Sequence, residues 1–261
     1  MNREDIINNF YNQDCDEDSR LSSRHGQIEF ITTTQYIDKY LKSDSKILEV
    51  GAGTGKYSLY YASKGYNVTS IEFVQHNLDI LKSKITPDMN IKVEQGDAVD
   101  LSRFEDNTFD VALILGPLYH LFDDKDINKA IEEAIRVTKP NGIIQIAYLT
   151  SDSIMIDWTF MDNHIIDGYQ KDYDENFKMN RYPEGVFAPF YIDEFKNIMS
   201  NFNIEFLHNV ATDGFTHHIK DKIDELSDEE FNMWVKYHLS TCERYDLQGY
   251  SNHMLYICRK K

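Results

Sequence analysis

The chain has few of the residues that staple or punctuate small folds. Only three cysteines occur, Cys15, Cys242 and Cys258. The count is odd and no C-x-x-C spacing links them, which argues against a structural zinc site or a disulfide framework and fits the reducing cytoplasm. Basic residues are scarce: 27 Lys and Arg stand against 44 Asp and Glu, a formal net charge of −17. Such a chain repels nucleic acid and anionic membrane unless a local basic patch compensates. The longest basic run, Arg259-Lys260-Lys261, reads as the end of a strand. The longest apolar stretch, Val111 to Phe122, is interrupted by Gly116 and Pro117 and is too short for a bilayer. No apolar segment of the secretory kind follows the polar start, and there is no internal repeat. What remains is 261 residues, 41% hydrophobic and 27% charged. That is enough for one large domain, or one domain carrying a sizeable insertion.

Within residues 1–45, apolar residues from Ile28 to Leu41 recur at helical spacing and predict a helix over about Gln27 to Leu41. From Lys46 short apolar runs alternate with helical stretches. Strands are predicted at Ile47–Val50, Val68–Phe73, Ile91–Glu94, Phe109–Leu115 and Ile143–Leu149. Helices are predicted after the first strand to Ser63, over Asn77–Ile85 and over Asp126–Thr138, with a turn at Lys139–Gly142. The alternation implies a parallel sheet covered on both faces, a doubly wound fold. Residues 151–195 break the rhythm. They hold ten aromatics, among them Trp158, Phe160, Tyr169, Tyr173, Phe187 and Phe190, and ten acidic residues against three basic ones. They read as a surface insertion with its own small core, or as a lid over a site. A helix over Ile192–Ser200, a strand over Ile204–Val210, a helix over Asp228–Cys242 and a closing strand over Met254–Cys258 complete the chain.

The chemistry concentrates at Glu49-Val50-Gly51-Ala52-Gly53-Thr54-Gly55, which ends a strand and opens a helix. Glycines there let the backbone turn sharply and approach a ligand, and a nucleotide-like cofactor is the natural occupant. The spacing is G-x-G-x-G, and Lys56 stands where a dinucleotide fingerprint needs a small residue. Glu72, at the end of the second strand, can accept from two ribose hydroxyls. Asp97, in Gly96-Asp97-Ala98, can accept from an adenine amino group.

Residues 46–149 resemble the core of the class I S-adenosylmethionine-dependent methyltransferases. The resemblance rests on Ile47 to Gly55, Glu72, Gly96-Asp97-Ala98, Phe109 to Leu115 and Val137 to Gly142. It implies an α/β fold, a doubly wound Rossmann-like seven-stranded sheet with an antiparallel last strand, plus an inserted lid. The organisation expected is an N-terminal helical cap (1–45), a cofactor-binding core (46–150), a lid (151–195) and the C-terminal part of the sheet (196–261). The cofactor implied is S-adenosylmethionine, with S-adenosylhomocysteine as product. Glu49, Gly51, Ala52, Gly53 and Gly55 would pass close to its methionine and ribose parts. Glu72 would hold the ribose, Phe73 would pack on the adenine, and Gly96, Asp97 and Ala98 would meet its edge. Leu115 and Gly116 would line the sulfonium, and Tyr11, Arg20 and Arg24 would close over the methionine end.

Methylases of exocyclic base amines carry Asn or Asp before Pro-Pro-Tyr where this chain has Leu115-Gly116-Pro117-Leu118-Tyr119. That departure, with the acidic charge, disfavours nucleobases and points to a small-molecule substrate. Methyl transfer is an in-line displacement that needs positioning, exclusion of water and, for some acceptors, removal of one proton. His120 is the candidate base, with Tyr119 beside it; His164 and the pair His217-His218 are weaker candidates. No metal is expected, since the pair lacks a third ligand at convincing spacing. The aromatic and acidic content of the lid points to an amine or aromatic substrate. The alternatives are a nicotinamide-dependent oxidoreductase, which Lys56 disfavours, a non-catalytic cofactor-binding module, and a protein methyltransferase.

Overall fold

The computed structural model describes residues 3–14, 17–166 and 172–261; Cys15 and Tyr169 lie outside the described residues. Seven strands form one sheet: β1 Lys46–Val50, β2 Asn67–Glu72, β3 Ile91–Gln95, β4 Phe109–Ile114, β5 Thr138–Leu149, β6 Ile204–Ala211 and β7 His253–Lys260. Their order is β3-β2-β1-β4-β5-β7-β6. The neighbours from β3 through β5 pair in parallel, and β7 runs antiparallel to both β5 and β6. The carboxyl ends of β1, β2 and β4 therefore lie along one edge, beside the end of β5 and the start of β7, where Leu149 pairs with His253.

Alternation with period two gives each strand an inner residue for each face. Leu48 and Val50, Ile144 and Ile146, and Met254 and Tyr256 join one core cluster with Ile127, Ile131 and Ala134 of α5 (Asp124–Val137). Phe195 and Met199, from the helix Ile192–Met199, complete that cluster. On the opposite face Ile47, Val111, Leu113, Leu255 and Ile257 meet Tyr36 and Ile37 of α2 (Arg24–Asp38) and Tyr57 and Tyr61 of α3 (Lys56–Ser63).

Helix boundaries move for reasons of capping. α2 starts at Arg24 rather than Gln27, because the Ser23 side chain accepts from the Gly26 N–H. α5 starts at Asp124, with Asp123 accepting from the Asp126 N–H, and ends at Val137. The expected turn at Lys139–Gly142 lies inside β5, which begins at Thr138; Asn141 takes up the bend with φ of 64°. The N-terminal stretch divides. α2 belongs to the main core, whereas α1 (Arg3–Asn9) and the turn Phe10–Asp14 lie along the cavity described below.

The described residues between 151 and 191 include a short helix, Ser151–Ile154, a wider turn, Met155–Met161, and a single helical turn, Pro183–Gly185. The segment is anchored to the sheet at its end. Phe190 is fully buried against Tyr148 and Phe195, and its N–H donates to Leu149 O.

One core group is out of character. Glu49 points into the α2–α3 face, where the Ser58 hydroxyl donates to it and lies 2.6 Å from the Ser70 hydroxyl. Burial pushes its pKa up to about 8, against the opposing Ser58 hydrogen bond. An unfolded glutamate ionises at about 4.3. The folded state thus keeps a proton that the unfolded chain releases, and stability falls as pH rises from there to about 8. Glu49→Gln removes this loss. Thermal melts should show the variant gaining on the wild type between pH 5 and pH 8; a difference constant with pH would contradict the assignment.

Candidate active site

The glycine loop follows β1. At Gly51 (φ +75°) the chain turns so that the N–H groups of Gly51 and Ala52 both reach Ile71 O. A Cβ at Gly51 would lie 2.5 Å from Pro117 Cδ, so only glycine lets the turns after β1 and β4 pack together. Two residues on, Gly53 (φ +54°) donates its N–H to Glu72 Oε2 at 2.7 Å, and Val74 donates to Oε1 at 2.8 Å. Burial pushes the Glu72 pKa up to about 7, with those two hydrogen bonds pulling it down.

Phe73 and Asp97 are already engaged. The Arg3 guanidinium sits 5.3 Å from the Phe73 ring centroid and donates from Nη1 and Nη2 to the two Asp97 oxygens, each at 3.0 Å. Its Nε is buried without a hydrogen-bond partner among the described residues. A planar donor group therefore fits between this ring and this carboxylate. The Gly53 turn, Glu72 and that slot together suit an adenine nucleoside.

These groups line one end of a cavity of about 1080 Å³. Leu115, Gly116, Pro117 and His120 form its middle, and Ile154, Asp157, Trp158, Met179 and Phe187 come from the segment after β5. The far end holds Glu29, Asp213, His217, His218 and His253. There Arg20 grips Glu29 with both terminal nitrogens at 2.7 and 3.2 Å. His253 Nδ1 donates to Asp213 Oδ2 at 2.8 Å and lies 3.5 Å from Glu29 Oε2. Burial would raise Asp213, but His253 holds it well below the usual carboxylate range. His218 donates from Nδ1 to Asp157 at 2.9 Å and from Nε2 to Tyr250 O at 2.7 Å, which takes a protonated ring. Burial opposes that charge, and Asp157 outweighs it, so its pKa is raised.

Of the residues expected from sequence, Tyr11, Arg20, Gly51, Gly53, Glu72, Phe73, Gly96, Asp97, Ala98, Leu115, Gly116, Tyr119 and His120 line this cavity. Four others are turned elsewhere. Glu49 is buried under α3 as described, and Ala52 is buried at the base of the loop. Gly55 packs against Leu81, where a Cβ would come within 2.1 Å of Cδ1. Arg24 Nη2 donates to Asp228 at 2.7 Å, with the guanidinium over the Phe231 ring.

The two residues expected to act on the acceptor are poor bases. His120 Nδ1–H donates to Val186 O at 2.8 Å, so its Nε2 accepts from the Tyr11 hydroxyl at 2.9 Å. Burial lowers its pKa to about 4. It is a neutral ring with both nitrogens engaged, tying the N-terminal turn to the segment after β5. Burial also holds the Tyr119 phenol well above its ordinary range, so it is a donor. His164 stacks on Trp158 at 4.2 Å. The pair His217-His218 converges on Asp157. The trio Glu29, Asp213 and His253 has the spacing of a metal site, but Arg20 already neutralises Glu29. Sequence reading missed Arg3, Glu29, Asp213 and His253, which share no local motif.

Comparison with known proteins agrees with this geometry. Residues 47–142 match the family model described as a methyltransferase domain. A demethylmenaquinone methyltransferase of Paenarthrobacter aurescens is 37% identical over 107 residues, 41% of this chain and 40% of that protein. A putative methyltransferase of Bacillus subtilis is 28% identical over 111 residues, 42% of this chain and 45% of that protein. The matches thus span less than half of each relative's length. Among solved structures, a SAM-dependent methyltransferase of Methanosarcina mazei aligns over 86% of this chain and 96% of its own, with a TM-score of 0.57 and 21% identity. A Thermotoga maritima protein, described as a SAM-dependent methyltransferase and possible histamine N-methyltransferase, aligns over 100% of both chains with a TM-score of 0.60 and 18% identity. Residues 47–142 thus match a methyltransferase domain, and the seven-stranded fold around them is shared with solved SAM-dependent methyltransferases.

Proposed function

We propose that the protein transfers a methyl group from S-adenosylmethionine to a small molecule. The observation that carries this reading is the shape of the cavity. One cavity is lined both by the glycine loop with Glu72 and by Asp213 and His253 near the start of β7. At about 1080 Å³ it exceeds the roughly 300–1,000 Å³ of a typical small-molecule site, which gives room for cofactor and acceptor together. The cofactor supplies an electrophilic methyl group. Gly51 and Gly53 admit its backbone-hugging part, Glu72 accepts from its ribose, and Phe73 with Asp97 receives the adenine. Tyr11, tied to His120, and Glu184 to Phe187 line the middle of the cavity and limit water. A small acceptor suits the end of the cavity lined by α2, the segment after β5 and the turn Gly214–Ile219.

The test is incubation with methyl-labelled S-adenosylmethionine and a deproteinised cell extract, alongside whole extract. Label in the small-molecule fraction supports the reading. Label only in protein or RNA, or none, contradicts it.

Arg3 gives a second check. Its guanidinium occupies the slot assigned to adenine, so cofactor has to displace it. A partly exposed ion pair of this kind contributes on the order of 1 kcal/mol, about a fivefold effect on apparent affinity. Calorimetric titration of Arg3→Ala with S-adenosylhomocysteine should show binding about fivefold tighter than the wild type. Weaker binding would mean that Arg3 covers the adenine rather than competing with it.

A further inference from the structure

We propose that His253, backed by Asp213, is the general base of the reaction, taking the acceptor's proton at Nε2. The inference rests on the methyltransferase reading and assigns the proton transfer within it.

The geometry is that of an oriented histidine. The Asp213 carboxylate accepts from Nδ1–H at 2.8 Å and also from the His253 backbone N–H at 3.1 Å, which fixes both ring and main chain. The Ser251 hydroxyl donates to the same carboxylate at 2.6 Å. A proton held on Nδ1 leaves the lone pair on Nε2. Among the described residues Nε2 has no hydrogen-bond partner, yet it is not one of the sealed polar atoms, and His253 lines the cavity. No other histidine there offers this. His25, His120 and His218 have both nitrogens engaged, and His217 turns its Nε2 to Asp157 at 3.4 Å.

Position agrees with orientation. His253 opens β7 opposite Leu149, the last residue of β5, on the same sheet edge as Leu115 and Gly116 after β4. Ligands of open α/β sheets sit outside this edge. An acceptor lying between Gly116 and His253 would rest against Tyr119, whose ring is 5.8 Å from that of His253. In the step itself the acceptor's lone pair forms a bond to the methyl carbon. The methyl–sulfur bond breaks, and its electron pair leaves on sulfur as the neutral thioether. The proton on the acceptor nitrogen or oxygen passes to Nε2 and then to water.

The charged and titratable groups facing His253 are Glu29 of α2, Arg20 before it, Asp213 after β6, His217 of the following turn and Tyr119 after β4. Burial lowers the His253 pKa, but Glu29 and Asp213 outweigh it and raise it above the ordinary histidine range. The neutral ring is the base, so turnover rises with pH through that raised value.

The experiment uses the full chain, methyl-labelled S-adenosylmethionine and the deproteinised extract as acceptor source. Turnover is followed from pH 5.5 to 9, and S-adenosylhomocysteine affinity is measured in parallel. For His253→Gln, turnover should fall at least about 100-fold with affinity kept within about twofold, and the rising limb should vanish. Imidazole should restore part of the turnover of His253→Ala, which a purely structural role would not allow. If the His253 variants do not fold, Asp213→Asn decides, with slower turnover and a limb moved to lower pH. Turnover within threefold of wild type with the limb retained would overturn the proposal. So would loss of turnover on chelation with EDTA and its return with a divalent cation, since Glu29, Asp213 and His253 would then be metal ligands. A wild type that binds S-adenosylhomocysteine but labels nothing would sink the methyltransferase reading and this proposal with it. Labelling by the wild type and by His253→Gln alike would sink the proposal alone.

Discussion

Gly53→Arg is expected to abolish binding of S-adenosylhomocysteine. Gly53 sits at φ of +54°, a backbone conformation that costs an ordinary L-residue roughly 1–2 kcal/mol. That strain alone would not remove a ligand. The larger effect is steric, because a Cβ there already meets Glu17 Cγ at 3.3 Å, across the loop that lines the cavity. A long guanidinium side chain built on it fills the space assigned to ribose and methionine, with Glu72 close enough to hold it there. Gly65→Arg is the control. Gly65 has a similar φ of +87°, but nothing lies within 4 Å of its would-be Cβ. Calorimetry should show no binding for Gly53→Arg and near wild-type binding for Gly65→Arg. Equal loss in both would assign the effect to backbone strain, and normal binding by Gly53→Arg would remove the loop from the site.

The second large effect is a pH dependence of cofactor affinity set by Glu72. Burial puts its pKa at about 7 in the free protein. Two ribose hydroxyls donating to it favour the ionised form, so its pKa falls in the complex. Binding then releases a proton whenever the free protein holds one. Affinity rises with pH up to about 7 and levels off above it. Between pH 5.5 and pH 8 the affinity for S-adenosylhomocysteine should increase about 30-fold, given a complexed pKa below the lower limit. Glu72→Gln should bind more weakly at pH 8 and show little dependence on pH. A flat wild-type curve would contradict the role given to this carboxylate.

The half of the candidate site assigned to cofactor is legible in the sequence because its parts are local. Ile47 to Gly55 is a strand, a turn and a helix start in consecutive residues, and Glu72 and Asp97 each close a neighbouring strand. The far half was not legible. Glu29, Asp213 and His253 come from a helix, a loop and a strand start, and meet only because β7 inserts between β5 and β6. Arg24 pairs with Asp228 instead of lining the cavity, because its place in the sequence says nothing of which face of α2 it leaves. His120 lines the cavity, but both its nitrogens are engaged. Its position follows from the turn after β4, whereas its protonation depends on Tyr11 and Val186, distant in sequence. Glu49 reads as part of the loop motif, yet strand alternation turns it under α3. In each case local pattern set the position of the backbone, and non-local packing set the state of the side chain.

The central claim is that the cavity at the sheet edge receives S-adenosylmethionine. The most direct measurement is calorimetric titration of the wild type at pH 8 with S-adenosylhomocysteine and, separately, with NADH. One S-adenosylhomocysteine should bind per chain, and NADH should not bind. Binding of NADH in its place, or of neither, would contradict it.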